Sequence, residues 1–275
     1  MNFNGTAGIW RSACIEDAGG WQGDTLTEDL DLSYRAQLRG WRIAYLPRVV
    51  VPAELPPQIS AFKRQQARWA QGSIQTALKL VGPLLRSDQP WRVKLEGTVH
   101  LCGYLIHPLM LMVILLTFPM SFSHRWVLMG APWLMVTAVG PSFLCAVAQA
   151  ADGKGRGYRL RLLPLLVMLG MGLSLSNTGA VLRAVLGVRR DFQRTPKFDL
   201  RRSGDTWVGS AYALRGNALV WAELGLAVLV LAMLAMPGVQ WTFAPWLLLY
   251  AGGFGYVATT ELYQTYRLRR WQAAA

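Results

Sequence analysis

Acidic residues are scarce in this chain: 15 Asp and Glu stand against 28 Lys and Arg over 275 residues, for a formal net charge of +13. Charged residues of either sign reach 16%, below the roughly 25% of a soluble domain. The three cysteines, Cys14, Cys102 and Cys145, are odd in number and scattered, so neither a disulfide framework nor a metal-binding spacing follows from them. The three histidines, His100, His107 and His124, form no ligand pattern and read as packing or interfacial residues. The opening "MNFNGTAGIWRSACIEDAGG" holds no apolar signal core. Nor does it hold the lysine of a phosphate-binding P-loop or the spacing of a dinucleotide fingerprint.

Hydrophobic residues fill the gap, at 53% of the chain with a mean hydropathy of +0.26. These averages hide two unlike parts. Up to about residue 95 the chain is mixed and polar; beyond 98, long apolar runs alternate with short basic loops. Runs near 99–121, 126–150, 217–236 and 241–263 each approach the ~20 residues that cross a bilayer. A fifth, 162–186, carries Ser174, Ser176, Asn177, Thr178 and Arg183 with Gly170, Gly172 and Gly179. Cations gather in "GKGRGYRLR" (153–161), "RRDFQRTPKFDLRR" (189–202) and "YRLRR" (266–270), whereas "SFSHR" has one arginine and "PGVQ" none. Five crossings would put strongly basic loops on opposite faces. Four crossings plus one broken or interfacial segment put every basic loop on the cytoplasmic side. An ordinary fifth crossing with weak charge bias is the alternative. Basic residues beside apolar runs also account for the net charge without a nucleic-acid partner.

In the polar half, "TLTEDLDLSYRAQLRGW" (25–41) concentrates Glu28, Asp29 and Asp31, with Asp24 just before. Thr25 and Glu28 fit a capping box. Leu30, Tyr34 and Leu38 then form a helical stripe that Gly40 ends. "WRIAYL" reads as a strand, followed by Pro47, "VVV" and Pro52. The acids therefore sit at a helix start, where the macrodipole favours negative charge. They either cap that helix or do chemistry there.

After Pro56 and Pro57, a helix beginning near Gln58 is amphipathic, with Ile59, Phe62, Ile74, Leu78 and Val81 on its apolar side and Lys63, Arg64, Arg68 and Lys79 as charges. Gln65, Arg68 and Trp69 project from one face. An amide, a guanidinium and an indole suit a phosphate and a sugar ring. The same residues suit a helix lying over lipid headgroups. In "NFNGTAGIWR" (2–11), Gly5, Thr6, Ala7 and Gly8 allow close approach of a ligand to backbone. In "FQRTPKF" (192–198), Arg194 and Lys197 read either as diphosphate contacts or as an ordinary juxtamembrane cationic loop.

Four stretches in this order, "FNGTAG" (3–8), "TED" (27–29), "QQARW" (65–69) and "FQRTPK" (192–197), resemble membrane-bound family 2 glycosyltransferases, the group of cellulose, hyaluronan and mannan synthases. "DLDLSYRAQLRGWR" and "RTPKF" look most like the cellulose synthase-like and glucomannan mannosyltransferase-like branch. The resemblance covers nearly the whole chain. It implies an α/β fold for residues 1–57, the C-terminal part of a cytoplasmic GT-A catalytic domain. Residues 58–97 would be interfacial helices bearing the Gln-x-x-Arg-Trp motif, and 98–275 an α-helical transmembrane region with a gating-like loop at 189–206. Asp29 would be the general base on the acceptor hydroxyl, positioned by Glu28 and Thr27. Gln65 and Arg68 would hold the nucleotide diphosphate, Trp69 would stack on the acceptor sugar, and Gly5 and Thr6 would line the substrate. Arg194, Thr195 and Lys197 would cover the donor's diphosphate. The donor would be a UDP- or GDP-sugar and the acceptor a growing β-linked polysaccharide or a lipid, at a bacterial inner membrane with the catalytic side cytoplasmic.

The family's Asp-x-Asp metal motif should precede "FNGTAG", and none does. "DLD" at 29–31 matches by letters, but Asp29 belongs to Thr-Glu-Asp. Magnesium or manganese is therefore expected only for a complete enzyme, and a separately encoded N-terminal half is a conceivable partner. On this reading the chain is a C-terminal fragment, inactive by itself. The alternatives are a non-catalytic membrane subunit or a single-transfer lipid glycosyltransferase. A transporter has little support, because few ionisable residues lie mid-run.

Overall fold

The computed structural model describes residues 1–120, 143–150, 161–202, 204–236 and 244–274. Its labelled helices are α1 (Ser12–Asp17), α2 (Glu28–Leu38), α3 (Ile59–Arg86), α4 (Trp91–Leu101), α5 (Ile106–Met120), α6 (Leu163–Gly172), α7 (Ser174–Val185), α8 (Leu219–Leu234) and α9 (Ala244–Ala274). They fall into two compact units, Met1–Ile106 with Ser176–Leu214, and His107–Leu175 with Arg215–Ala275.

The α/β class expected of the first 57 residues is overturned: no strand forms among the described residues. "WRIAYL" and "VVV" are apolar and β-branched, but a strand exists only as a member of a ladder. No second extended segment pairs with them. Val50 and Leu55 are each 81% exposed, and Tyr45, Leu46 and Val49 are exposed as well.

In the first unit α2 is covered on two sides. Leu32 and Ala36 pack with Cys14 and Ala18 around α1. Leu30 packs with Ala77, Leu80 and Leu101 from α3 and α4, with Tyr34 alongside. Burial on two sides explains why the single stripe Leu30–Tyr34–Leu38 describes the helix incompletely. Tyr34 donates to the Gly97 carbonyl at 3.2 Å and lies 2.7 Å from His100 Nδ1; burial pushes its phenol up to about 12. Gly40 ends α2 at φ +89°, which glycine adopts without steric penalty. On the other side of α3, Ala70 and Ile74 pack against Ala180, Val181 and Ala184 of α7.

Polar contacts fasten the segment before α2 to α3. Asp31 is fully buried. Its Oδ2 receives Arg35 Nε at 2.8 Å, and its Oδ1 pairs with Lys79 Nζ at 2.9 Å. Arg35 also donates to the carbonyls of Ala18 and Gly20. Lys79 reaches Asp24 Oδ2 at 2.8 Å and Gln22 Oε1 at 2.6 Å. The ammonium holds the Asp24 carboxyl below the usual carboxylate range.

The second unit is built on a core of Ile114, Met171, Val230, Met233, Leu247, Tyr250 and Phe254. The Tyr250 hydroxyl donates to the Met110 carbonyl at 2.9 Å. α6 and α9 touch backbone to backbone. A Cβ on Gly253 would run into the Met168 carbonyl oxygen, and one on Gly172 into the Gly253 carbonyl oxygen. Gly253→Val is therefore expected to overpack the crossing by about 1–3 kcal/mol, read as a lower melting temperature of the purified protein, with Gly225→Ala, whose site is open, as the control.

Among the described residues no single helix is long and apolar enough to cross a membrane. Two bent pairs meet the length and composition together: Trp91–Leu101 with Gly103–Pro119, bent by 50°, and Leu163–Gly172 with Ser174–Val185, bent by 51°. The run 162–186 is thus two helices meeting at Leu173. Residue 121 of the first run, 126–142 of the second, 241–243 of the fourth, 153–160 of the basic loop 153–161, and the loops "SFSHR" (121–125) and "PGVQ" (237–240) lie outside the described residues.

Candidate active site

The four motifs named from the sequence lie in the first unit, and the structure brings parts of each together. The opening loop is pinned to α2 through Ser33. The Phe3 N–H donates to Ser33 Oγ at 2.9 Å, and Ser33 Oγ donates to the Asp29 carbonyl at 2.7 Å. Gly5, at φ +74°, lies so close to Asp29 that an added Cβ would sit 2.9 Å from Oδ2. Thr6 is exposed.

Thr27 is the residue before α2 and is buried, but it makes no side-chain cap. The capping box expected of Thr25 and Glu28 does not form, because the helix is preceded by Thr27 rather than Thr25, and the Thr27 hydroxyl faces α3 instead, with Oγ1 3.4 Å from Thr76 Oγ1. Gly72 makes this approach possible. A Cβ there would meet Thr27 Oγ1 at 2.6 Å and its backbone nitrogen at 2.8 Å.

Asp29 is half-buried. Burial raises its carboxyl above the ordinary value of 3.8, and the Glu28 charge adds to this. The N–H groups of Leu30 and Asp29 and the charge of Arg68 act against the rise without cancelling it. The helix start alone implies a carboxylate eased toward ionisation; desolvation is the larger effect. Arg68 has the mirror-image balance: burial lowers its pKa, and Glu28 and Asp29 support its charge. Its Nε is buried with no hydrogen-bond partner. A buried guanidinium N–H with no acceptor is an energetic debt that a phosphate oxygen would settle in the paired geometry arginine favours.

The loop after α7 runs antiparallel along α3. Gln71 Nε2 donates to the Val188 carbonyl at 2.9 Å, Arg68 lies 4.9 Å over the Phe192 ring, and Gln65 Nε2 donates to Thr195 Oγ1 at 3.2 Å. Beyond it, Glu54 accepts the N–H groups of Phe198 at 2.7 Å and Asp199 at 3.2 Å. Gln58 exchanges two hydrogen bonds with the Leu214 backbone. Thr195 therefore meets the Gln-x-x-Arg-Trp helix, whereas Arg194 and Lys197 are exposed. Trp69 is 38% exposed.

Ser33, Gly72, Gln75, Thr76 and Phe192 escaped sequence reading, and Lys79 figured there only as a charge on the amphipathic helix. Positions 72, 75, 76 and 79 follow the spacing of one helix face and continue the row begun by 65 and 68, so periodicity carried a usable signal. Among the described residues no three His, Cys, Asp or Glu side chains converge as a metal site needs. Asp31 is committed to Arg35 and Lys79.

The model of glycosyl transferase family group 2 matches residues 5–174, and the chain belongs to that family. Curated relatives include glucomannan 4-beta-mannosyltransferase 2 of Arabidopsis thaliana, 47% identical over 89 residues that make up 32% of this chain and 17% of the relative. Probable glucomannan 4-beta-mannosyltransferase 11 of Oryza sativa subsp. japonica is 42% identical over 101 residues, 37% of this chain and 17% of the relative. The matched stretch thus spans about a sixth of the length of these relatives. No solved structure matches.

Proposed function

We propose that this unit supplies the acceptor-side base and the diphosphate grip of an inverting hexosyl transfer into a β-linked polysaccharide. Mannose is the favoured sugar, because the relatives are named glucomannan mannosyltransferases. The observation that carries the reading is the buried Arg68 Nε with no hydrogen-bond partner, on the helix whose Gly72 packs against Thr27, two residues before the half-buried Asp29. Asp29 would take the proton from an acceptor hydroxyl as its oxygen attacks the anomeric carbon. The bond from that carbon to the nucleotide diphosphate breaks on the opposite face. Arg68 and Gln65 would receive the charge that develops on the diphosphate. A carboxylate is base enough for this step because the leaving group is good, and a pKa raised toward neutrality improves the match.

Apolar runs, two bent helix pairs and the basic segment 189–202 support a membrane setting. The test is calorimetric titration of GDP and UDP into the detergent-solubilised full chain. Arg68→Ala is expected to weaken binding of the preferred nucleotide by on the order of tenfold or more, the loss of a charge-assisted contact worth about 1.5–3 kcal/mol. Equal affinity of the variant and wild type would refute the grip.

A further inference from the structure

One face of α3 does two tasks. Toward its N-terminal end Gln65 and Arg68 hold the loop that follows α7. Further along, four residues at the spacing of one face hold the approach to α2. Gly72 lets Thr27 lie against the helix. Gln75 Oε1 accepts the Leu26 N–H at 3.0 Å. Thr76 Oγ1 lies beside Thr27 Oγ1. Lys79 bridges Asp24 and the buried Asp31. These contacts flank Asp29 on both sides in sequence, at 24–27 and at 31, and none touches Asp29 itself.

From this arrangement we infer that Gln75 and Lys79 are positioning residues, which set Asp29 in register with Arg68 by fixing the Asp24–Asp31 segment to the helix that carries Arg68. The inference rests on the function proposed above. It explains a buried carboxylate that the chemistry does not use: Asp31 is the point on α2 that Lys79 grips. It also explains an amide on a face where an apolar residue would pack as well. Leu26 precedes the helix, so its N–H has no intrahelical acceptor, and Gln75 supplies one.

Two pairs of variants separate positioning from bulk stability. Gln75→Leu keeps the size and removes the acceptor; Gln75→Glu keeps the acceptor. Lys79→Met removes the charge; Lys79→Arg keeps it. Hydrogen–deuterium exchange on the full chain reads the register directly. Gln75→Leu and Lys79→Met are expected to speed exchange in the Thr25–Leu30 peptide by about five- to tenfold, the equivalent of one net hydrogen bond. Exchange in the Gln65–Gln71 peptide stays unchanged, and Glu and Arg restore protection. In sugar transfer the two disruptive variants lose kcat by on the order of 10- to 100-fold, as a slightly misplaced base does, with the donor KM within about twofold. Unaltered exchange at Thr25–Leu30, or equal acceleration in both peptides, overturns the inference. So does altered exchange with undiminished kcat. Equal nucleotide affinity of Arg68→Ala and wild type overturns the proposed function instead, and the exchange arm still decides the positioning.

Discussion

Asp29→Asn is expected to reduce sugar transfer by on the order of 10²–10⁴-fold, the range a general base contributes, while nucleotide affinity is retained. Asparagine has the same shape and keeps the backbone carbonyl to which Ser33 donates, so the loss falls on proton transfer. The pH–rate profile of the wild type supplies the second arm. Burial raises the Asp29 carboxyl, with Glu28 adding to it, so the protonated form is the one the fold prefers. Its stabilisation is fully present below the unfolded-state pKa and is lost as pH rises through the folded-state pKa. Activity needs the ionised form, so the rate falls as pH drops through a limb lying above 3.8, the ordinary value. At neutral pH Asp29→Asn is therefore expected to melt no lower than the wild type. A variant that turns over normally would reject Asp29 as the base, and one that melts lower would contradict the raised carboxyl.

Gly72→Ala is the second large effect. The added methyl would meet the Thr27 side chain at 2.6 Å and its backbone nitrogen at 2.8 Å. A flexible side-chain end can swing aside, but a backbone nitrogen moves only with its chain. Here that chain is Thr27, the residue that leads into α2, two residues before Asp29. Overpacking of this kind costs about 1–3 kcal/mol, so most molecules stay folded. A displacement of about 1 Å at the base costs on the order of 10²-fold in rate. The expected signature is a modest fall in melting temperature, a large fall in kcat and little change in nucleotide affinity. Gly82→Ala on the same helix, where nothing lies near the position of a Cβ, is the control and should leave kcat intact. Normal kcat in Gly72→Ala would show that the contact with Thr27 does not govern the site.

Much of the local structure was written in short-range patterns. α2 ends at Leu38, just ahead of Gly40, and α3 begins at Ile59, next to the Gln58 expected to open it. Thr195 and Gln65, which meet in the structure, lie on motifs visible in the chain. Their meeting was not visible, because it depends on an antiparallel run of the 188–195 loop along α3 that leaves no periodic trace in an irregular segment. By composition alone "FQRTPKF" is an ordinary cationic loop. Its alignment on α3 uses Phe192, a residue no charge argument would select. The α/β expectation failed for a related reason. Val49, Val50 and Val51 satisfy every local rule for a strand, yet local rules do not provide the neighbouring backbone on which strand hydrogen bonding depends.

α3 places the grip on the loop and the grip on the α2 approach on a single rod. From Gln65 to Lys79 the rise is about 21 Å at 1.5 Å per residue. Exchanging one side chain alters one end of that rod and spares the other. Inserting or deleting a residue midway would turn everything beyond it by about 100°, swinging Gly72, Gln75 and Lys79 off the α2 approach in a single event. Evolution of a new sugar preference at such a site is thus open to substitution and closed to changes of length.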